Sequence, residues 1–310
     1  MIGVLLVLVG IIILYFSGEW LVGGSTSLAK HLKIQPFIIA LTLVAFGTSA
    51  PELAISINAA LKGHQGITLG NIIGSNIANI LFVIPIAFFL KIPKKSDLIN
   101  FDCAFLIIIT VIYAILLKNL RGFNSYVGFV MLFTLFAYIF LIIRQTKRGY
   151  RKYDNTADDL QHYSFKKALL YSLLGIVGIA LGSEVLVTGA IETATSFKID
   201  QTVIGLSMVA LGTSIPEVAT SLVAAYRGQG NIILGAILGS NLFNILGISG
   251  VASSIAFIKT QGIISNLDII FLLVATFLFI SISYFIKALN KFILALLLSF
   301  YVIYILILYF

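Results

Sequence analysis

The stretches AFGTSAPELAIS at residues 45–56 and ALGTSIPEVATS at residues 210–221 share eight of twelve positions at an offset of 165. A second pair, GNIIGSNIANIL at 70–81 and GAILGSNLFNIL at 235–246, repeats at the same offset, again with eight identities. A constant offset across separated stretches is the signature of a duplicated unit. The chain is therefore predicted to contain two related halves.

The composition places both halves in a membrane. Of the 310 residues, 60% are hydrophobic and 10% are charged, whereas soluble domains carry about 25% charged residues. This composition excludes a soluble enzyme, a disordered protein and a collagen-like fibre. The single cysteine, Cys103, excludes a disulfide framework and a cysteine-based metal site.

Ten apolar runs are long enough to cross a bilayer, which needs about 20 residues per helix. The runs are 2–22, 34–60, 68–90, 102–118, 123–143, 168–190, 200–226, 231–257, 267–286 and 292–310. The first run lacks the basic flank and the cleavage pattern of a signal peptide, so we expect it to be retained. We predict an all-α integral membrane protein of ten transmembrane helices, with units at 1–143 and 168–310 joined by a linker at 144–167.

Each half holds five helices, so the second half enters the membrane from the opposite side and the two repeats are inverted. Fifteen of the 20 Lys and Arg residues fall in loops on one side and five on the other. Because loop cations favour the cytoplasm, this bias predicts both termini outside and a cytoplasmic linker at 144–167. The net charge of +8 therefore belongs to loops and does not predict a nucleic-acid surface. We expect a monomer in the plasma membrane.

Four carboxylates lie inside apolar runs: Glu19, Glu52, Glu184 and Glu217. An intramembrane carboxylate is costly unless it is compensated, and it marks an ion or proton pathway by default. Glu52 and Glu217 are equivalent in the repeat, and packing does not explain a mid-bilayer charge at two matched positions. Glu19 and Glu184 lie nearer helix ends, where orienting a neighbouring helix, lining an access path and binding an ion remain alternatives.

The motif G-T-S-x-P-E is predicted to interrupt its helix. Pro51 has no N–H, so the carbonyl of Gly47, four residues earlier, loses its helical partner. Gly47 makes the same turn flexible. Freed carbonyls such as those of Ala45 and Phe46 can then turn towards an ion.

Oxygen-bearing side chains follow the same spacing in both halves. Thr48 and Ser49 lie four and three residues before Glu52, so hydroxyls and carboxylate share one helix face. The equivalent residues of the second half are Ala210, Thr213, Ser214, Pro216 and Glu217.

The motif G-S-N-x-x-N adds Ser75 with Asn79 and Ser240 with Asn244, each pair four residues apart. These groups are hard oxygens without His, Cys or Met, which favours Ca²⁺ or Na⁺ over Zn²⁺ or Cu⁺. Two carboxylates balance one Ca²⁺, and other oxygens complete a shell of about 6–8. Small residues in membrane helices also serve close packing. Asn76 and Asn241 are better explained as hydrogen-bonding partners between helices than as ligands.

The doubled motifs, in inverted halves of five helices, resemble the α-repeats of the sodium/calcium exchangers of the cation/calcium antiporter superfamily. The resemblance covers essentially the whole chain and suggests the prokaryotic type, because the large regulatory loop of animal exchangers is missing. It implies Ca²⁺ between Glu52 and Glu217, with the carbonyls of Thr48 and Thr213 completing the shell. Other implied positions, for Na⁺ or flanking the centre, are Ala45, Ser49, Ser75, Asn79, Ala210, Ser214, Ser240 and Asn244.

By the same resemblance, Ca²⁺ and Na⁺ are transported substrates, no cofactor is expected, and access alternates between the two sides of the membrane. Some family members have Asp where this chain has Asn244, which leaves K⁺ co-transport and the stoichiometry open. The nearest alternative is a Ca²⁺/H⁺ antiporter of the same fold. A passive channel fits poorly with one central site on interrupted helices. An intramembrane enzyme lacks a nucleophile and base arrangement.

Overall fold

A computed structural model describes residues 2–93, 100–148, 163–196 and 212–309. Within these ranges, eight helices are long and apolar enough to cross a membrane, and a bent helix pair makes a ninth span. The predicted all-helical membrane class is confirmed. Residues 200–211 of the run predicted at 200–226 lie outside the described residues, as do residues 149–162 of the linker predicted at 144–167.

The first half begins with the longest uninterrupted span of that half. Its elements are α1 (Ile2–His31), α2 (Pro36–Ile39), a π-helical turn (Ala40–Val44), α3 (Ala45–Thr48), α4 (Ala50–Leu61), α5 (Gln65–Ala78), a π-helical turn (Asn79–Val83), α6 (Ile84–Leu90), α7 (Asn100–Asn119), β1 (Gly122–Phe123) and α8 (Ser125–Lys147).

The second half repeats this order. Its described elements are α9 (Phe165–Ser196), α10 (Ile215–Tyr226), α11 (Gly230–Leu242), a π-helical turn (Phe243–Ile248), α12 (Ser249–Ile255), β2 (Ile258–Lys259), α13 (Asn266–Tyr284), a 3₁₀ turn (Ile286–Ala288) and α14 (Lys291–Tyr309). Helices α4 and α10 begin and end at equivalent residues, 165 positions apart. The two short strands pair antiparallel, Gly122 opposite Lys259, and join the halves at one end.

The helix interruption predicted from Pro51 and Pro216 is present in both halves. Between α3 and α4 the helix axis bends by 47°, and Ser49 at the break has φ −86° and ψ 8°. Ser214 precedes α10 with almost the same angles, φ −88° and ψ 0°. Each proline stands in the first turn of the following helix, where its missing N–H leaves no bond unmade.

The first and sixth predicted runs, 2–22 and 168–190, underestimate helices α1 and α9. Ser25, Thr26 and Ser27 lower the hydropathy of the last turns of α1, yet all three are buried. Their hydroxyls donate to backbone carbonyls one turn earlier, at 2.6, 2.6 and 2.9 Å. Polar side chains satisfied in this way extend a membrane helix without exposing a donor to the apolar phase.

A second repeated feature lies in the outer helices. Asp102 accepts a hydrogen bond from the Tyr138 hydroxyl at 3.0 Å and so joins α7 to α8. Asp268 accepts from the Tyr304 hydroxyl at 3.1 Å and joins α13 to α14. Asp102 is fully buried. The structure thus extends the duplication beyond the stretches where identities reveal it.

Helices α5 and α11 with their continuations form the centre of the molecule, with 78% and 94% of each span buried. Helices α1 and α9 run antiparallel along one side and touch through small residues, as close helix contacts in membranes require. The α-carbon of Gly24 faces the backbone of Ser172, and Gly175 and Gly178 face Leu21 and Ser17. The two helices are therefore in near-backbone contact over several turns.

We expect Gly175→Ala to separate α1 from α9. An added Cβ would lie 2.6 Å from the backbone nitrogen and Cβ of Leu21, and overpacking of this kind costs about 1–3 kcal/mol. Thermal unfolding in detergent should show a lower midpoint than in the parent protein. The control is Gly66→Ala in the first turn of α5, where the nearest described atom is 3.9 Å from the new Cβ. Equal midpoints for the two variants would contradict the close packing of α1 on α9.

Candidate cation-binding site

Two carboxylates meet at the centre of the molecule. Glu52 and Glu217 each lie in the first turn of the helix that follows a break, α4 and α10. Their exposed fractions are 2% and 3%, and Ser49, three residues before Glu52, is within hydrogen-bonding distance of Oε1 of Glu217. A helix N-terminus favours negative charge, which lowers the cost of each carboxylate but does not offset both. The pair therefore needs a counter-charge or a proton.

Hydroxyl groups from both halves surround the Glu217 carboxylate. Ser49 donates to Oε1 of Glu217 at 3.3 Å, and Ser240 donates to the same oxygen at 3.4 Å. The same Ser49 hydroxyl lies 3.0 Å from Ser240 Oγ, so its single hydrogen is shared between Ser240 and Glu217, and the Thr48 hydroxyl lies 3.5 Å from Ser240. Side chains of the first half therefore complete the surroundings of the acid of the second half. Such cross-repeat contacts are what an inverted duplication with one central site requires.

Around Glu52 the organising residue is Asn71 on α5, which the sequence reasoning missed. Its Nδ2 donates to the Glu52 carbonyl at 3.0 Å and to Ser56 Oγ at 2.9 Å. Ser75 donates to Asn71 Oδ1 at 3.5 Å. The available signal was the spacing, because Asn71, Ser75 and Asn79 stand four residues apart on one helix face.

Several buried polar side-chain atoms at this centre have no hydrogen-bond partner. They include Oε2 of both glutamates, Oδ1 of Asn79, Oγ of Ser214 and both amide atoms of Asn244. Buried polar atoms are nearly always paired, and a bound ion is one way to pair them. Within the described residues, no group of three or more His, Cys, Asp or Glu side chains lies together. The donors at this centre are therefore two carboxylates with hydroxyl, amide and carbonyl oxygens, which suit Ca²⁺ or Na⁺.

The remaining residues predicted to bind an ion, Ala45, Thr213 and Ala210, differ from these in their surroundings. The Ala45 carbonyl is not freed, because it accepts from Ser49 N–H at 3.0 Å and from the Thr48 hydroxyl at 3.3 Å. Thr213 is half-buried beside the second break, and Ala210 lies outside the described residues. A helix that ends at Thr48 leaves carbonyls of its last turn without helical partners.

Asn79 and Asn241 connect the two halves directly. Asn79 Nδ2 donates to Asn241 Oδ1 at 3.1 Å, and both residues are buried. Asn76 differs, because its Nδ2 donates to the Ile72 carbonyl of its own helix at 2.6 Å. The expectation of a bond between helices is therefore met by Asn241 and not by Asn76.

Glu19 and Glu184 lie away from this centre and in unlike surroundings. Arg227, just beyond α10, donates through Nε to both Glu19 carboxylate oxygens at 3.1 and 3.0 Å, and its Nη2 also contacts Oε2. These hydrogen bonds raise the pKa of the Arg227 guanidinium, which therefore remains charged. Glu184 is exposed. Of the alternatives for Glu19, the structure favours joining a neighbouring helix.

Comparisons with known proteins agree along the chain. The model of the family described as sodium/calcium exchanger protein matches residues 2–144 and 167–310. The putative antiporter CaxA of Alkalimonas amylolytica is 35% identical over 267 residues, which cover 83% of this chain and 82% of that protein. The sodium/calcium exchanger MaX1 of Methanosarcina acetivorans is 31% identical over 288 residues, covering 79% and 82%.

A solved structure is also similar throughout. The sodium-calcium exchanger NCX_Mj, soaked with zero Na⁺ and Ca²⁺, superposes with a TM-score of 0.83 at 30% identity, covering 99% of both chains. The family match spans nearly all of the sequence, and the structural match spans the fold. The chain therefore belongs to the sodium/calcium exchanger family, a family of cation antiporters and not of enzymes.

Proposed function

We propose that this antiporter exchanges Na⁺ for Ca²⁺ across the plasma membrane and binds both ions between Glu52 and Glu217. The observation that carries the proposal is the buried carboxylate pair, each with one oxygen that has no hydrogen-bond partner. Two negative charges match one Ca²⁺, and replacement by Na⁺ ions keeps the site close to neutral. The names of the relatives support the choice of ions, since MaX1 and NCX_Mj are both described as sodium/calcium exchangers.

The proposed Ca²⁺ shell combines the two carboxylates with the backbone carbonyls of Thr48 and Thr213. Hydroxyls of Ser49, Ser75, Ser214 and Ser240 would serve Na⁺, with both glutamates shared between the ions. The carbonyls of Ala45 and Ala210 belong to the same set, and Ala45 is a weaker member because its carbonyl already accepts two hydrogen bonds. Asn79 and Asn244 would flank the centre with amide oxygens.

Alternating access is supported by a difference between the two ends of the molecule. At one end α1 packs against α10, and the Val223 side chain lies on Gly18. The equivalent helices at the other end are α9 and α4, and within the described residues they make no comparable contact. Among the described residues, the first helix thus seals one end, and α9 makes no equivalent contact with α4 at the other end. In the proposed orientation, with both termini outside, the sealed end is cytoplasmic.

A Ca²⁺/H⁺ antiporter of the same fold is the second candidate function. It is favoured by one observation, the burial of two carboxylates at one centre, where a single proton would remove one of the two like charges. The number of hydroxyl groups around the carboxylates favours Na⁺, because neutral oxygens can complete a Na⁺ shell but are not needed to hold a proton.

Glu52→Gln and Glu217→Gln should each lower Ca²⁺ uptake into Na⁺-loaded proteoliposomes by about a hundredfold or more. The reason is that removal of one partner from a buried charge cluster costs about 3–5 kcal/mol. Radioactive Ca²⁺ uptake driven by an outward Na⁺ gradient, at clamped membrane potential, is the measurement. Glu192→Gln, which neutralises an exposed carboxylate on α9, is the matched control and should transport normally. Retained uptake in either central variant would remove the central assignment.

Exchange should fall as the pH is lowered from about 8 to about 5, because protons and cations compete for the same carboxylate pair. Cation binding requires the charged carboxylates, so activity is present at the alkaline end and lost at the acidic end. Initial uptake rates at saturating and limiting Ca²⁺ measure this competition, which higher Ca²⁺ should relieve. A rate independent of pH would argue against competition. Uptake driven by a pH gradient without Na⁺ would establish the proton-coupled alternative.

A further inference from the structure

We propose that Asn71 is a positioning residue that tunes Na⁺ affinity by turning the Ser75 hydroxyl towards the cation. This inference rests on the proposed function, because Ser75 is taken to be a Na⁺ ligand. It is carried by contacts that the two repeats do not share. Asn71 has no counterpart in the second half, where Ala236 occupies the equivalent position.

The hydrogen bonds determine which way the Asn71 amide faces. Its Nδ2 lies 3.0 Å from the Glu52 carbonyl oxygen, which can only accept. The nitrogen therefore faces α4, and Oδ1 faces Ser75 on its own helix. Oδ1 in turn accepts the hydrogen of the Ser75 hydroxyl, 3.5 Å away. One amide thus holds both the first turn of α4 and the hydroxyl of Ser75.

A hydroxyl binds a cation through its lone pairs, so its hydrogen must point elsewhere. Asn71 takes that hydrogen and leaves the Ser75 lone pairs available. The unpartnered Oδ1 of Asn79, four residues further along the same face, and Oε2 of Glu52 are also available. These three oxygens of the first half are therefore available to bind a cation.

Without an amide at position 236, the second half uses its serine differently. Ser240 donates its hydrogen to Oε1 of Glu217 at 3.4 Å and accepts from Ser49 at 3.0 Å. The same residue type at equivalent positions thus has two roles. Ser75 keeps both lone pairs of its hydroxyl for a cation, whereas Ser240 gives one of its lone pairs to Ser49 and holds a carboxylate with its hydrogen.

We expect Asn71→Ala, which gives the first half the residue of the second, to raise the Na⁺ concentration for half-maximal thermal stabilisation in detergent. A change of about threefold to tenfold corresponds to the loss of one hydrogen bond. The same measurement with Ca²⁺ should change less, because the two carboxylates dominate the binding of a divalent ion. This readout does not depend on transport. A failed uptake experiment with the parent protein would reject the proposed function, whereas an unmoved Na⁺ titration would reject the role of Asn71.

Thr68→Val is the matched control, since Thr68 also connects α5 to α4, through the Ser56 carbonyl at 3.3 Å, without touching Glu52 or Ser75. Asn71→Ala should shift the Na⁺ titration while Thr68→Val leaves it in place, even if both lower the unfolding midpoint. Equal shifts for the two variants, or equal shifts for Na⁺ and Ca²⁺, would reduce Asn71 to a packing residue and overturn the proposal.

A different observation carries a second inference, that the Glu19–Arg227 ion pair locks one end of the molecule closed. The positions equivalent to Glu19 and Arg227 are Glu184 and Lys62, which again place an acid on a long helix opposite a base just beyond a short one. Glu184 and Lys62 are both exposed, and within the described residues they form no ion pair. We infer that this second pair closes when the first opens.

The two pairs cannot form independently, because α1 and α9 touch through their glycines over several turns and move as one body. A displacement that brings Glu184 to Lys62 must carry Glu19 away from Arg227. Burial agrees with this arrangement. Val223 on α10, beneath α1, is 6% exposed, whereas its equivalent on α4, Asn58, is exposed.

The test uses single cysteines in a Cys103→Ser background, at Val223 or at Asn58, labelled in detergent with a polar maleimide. Arg227→Gln should speed the labelling of Val223→Cys by about twofold to tenfold, as expected for a half-buried ion pair. It should also slow the labelling of Asn58→Cys, because the α1–α9 unit then covers α4 more often. Lys62→Gln should have the opposite effect, with slower labelling of Val223→Cys and faster labelling of Asn58→Cys, because it removes the pair that holds the alternative state.

The charge reversal Glu19→Arg with Arg227→Glu should restore the parent labelling rates. Faster labelling at both cysteines would indicate that the variant destabilises the whole fold. Unchanged rates at both would show that the ion pair does not keep this end closed. Either result would overturn the lock. The test does not depend on which ions are carried.

Discussion

The structure depends on the cost of holding two carboxylates together in a membrane interior. An isolated buried charge is severely penalised, and two of the same sign more so. Glu52 and Glu217 are tolerated because each lies in the first turn of a helix after a break, where N–H groups favour a negative charge, and hydroxyls also face Glu217. The break itself requires a proline in the first turn and a serine with non-helical backbone angles before it. Most of the polar residues conserved between the two halves serve this one arrangement.

Close contact between helices is the second requirement, and glycine provides it on a different side of the molecule. Gly24, Gly175 and Gly178 bring α1 and α9 together until side chains and backbone touch. A pair joined in this way resists internal deformation, so its motion relative to the central helices is that of one body. The sealed and unsealed ends of the structure are then two consequences of one position of that body.

Much of this was predictable from the sequence. Hydropathy predicted the membrane class, the constant offset predicted the duplication, and the paired motifs predicted the central carboxylates. The missed features are those where side chains satisfy one another. The last turns of α1 are rich in Ser and Thr, so hydropathy ends the predicted span before them. Their hydroxyls in fact donate to backbone carbonyls of the same helix. Asn71 differs from its repeat mate, and a search for identities between repeats overlooks such a residue.

Differences between the two halves determine how the duplication serves function. If the halves were identical, exchanging their conformations would leave the energy of the isolated chain unchanged, and the two inverted states would be equally populated. Any bias must therefore come from positions where the halves differ, such as Arg227 against Lys62 and Asn71 against Ala236. A bias of about 1.4 kcal/mol already gives a tenfold preference. Identical residues build the site and make two states possible, while the differing ones decide which state the chain adopts at rest.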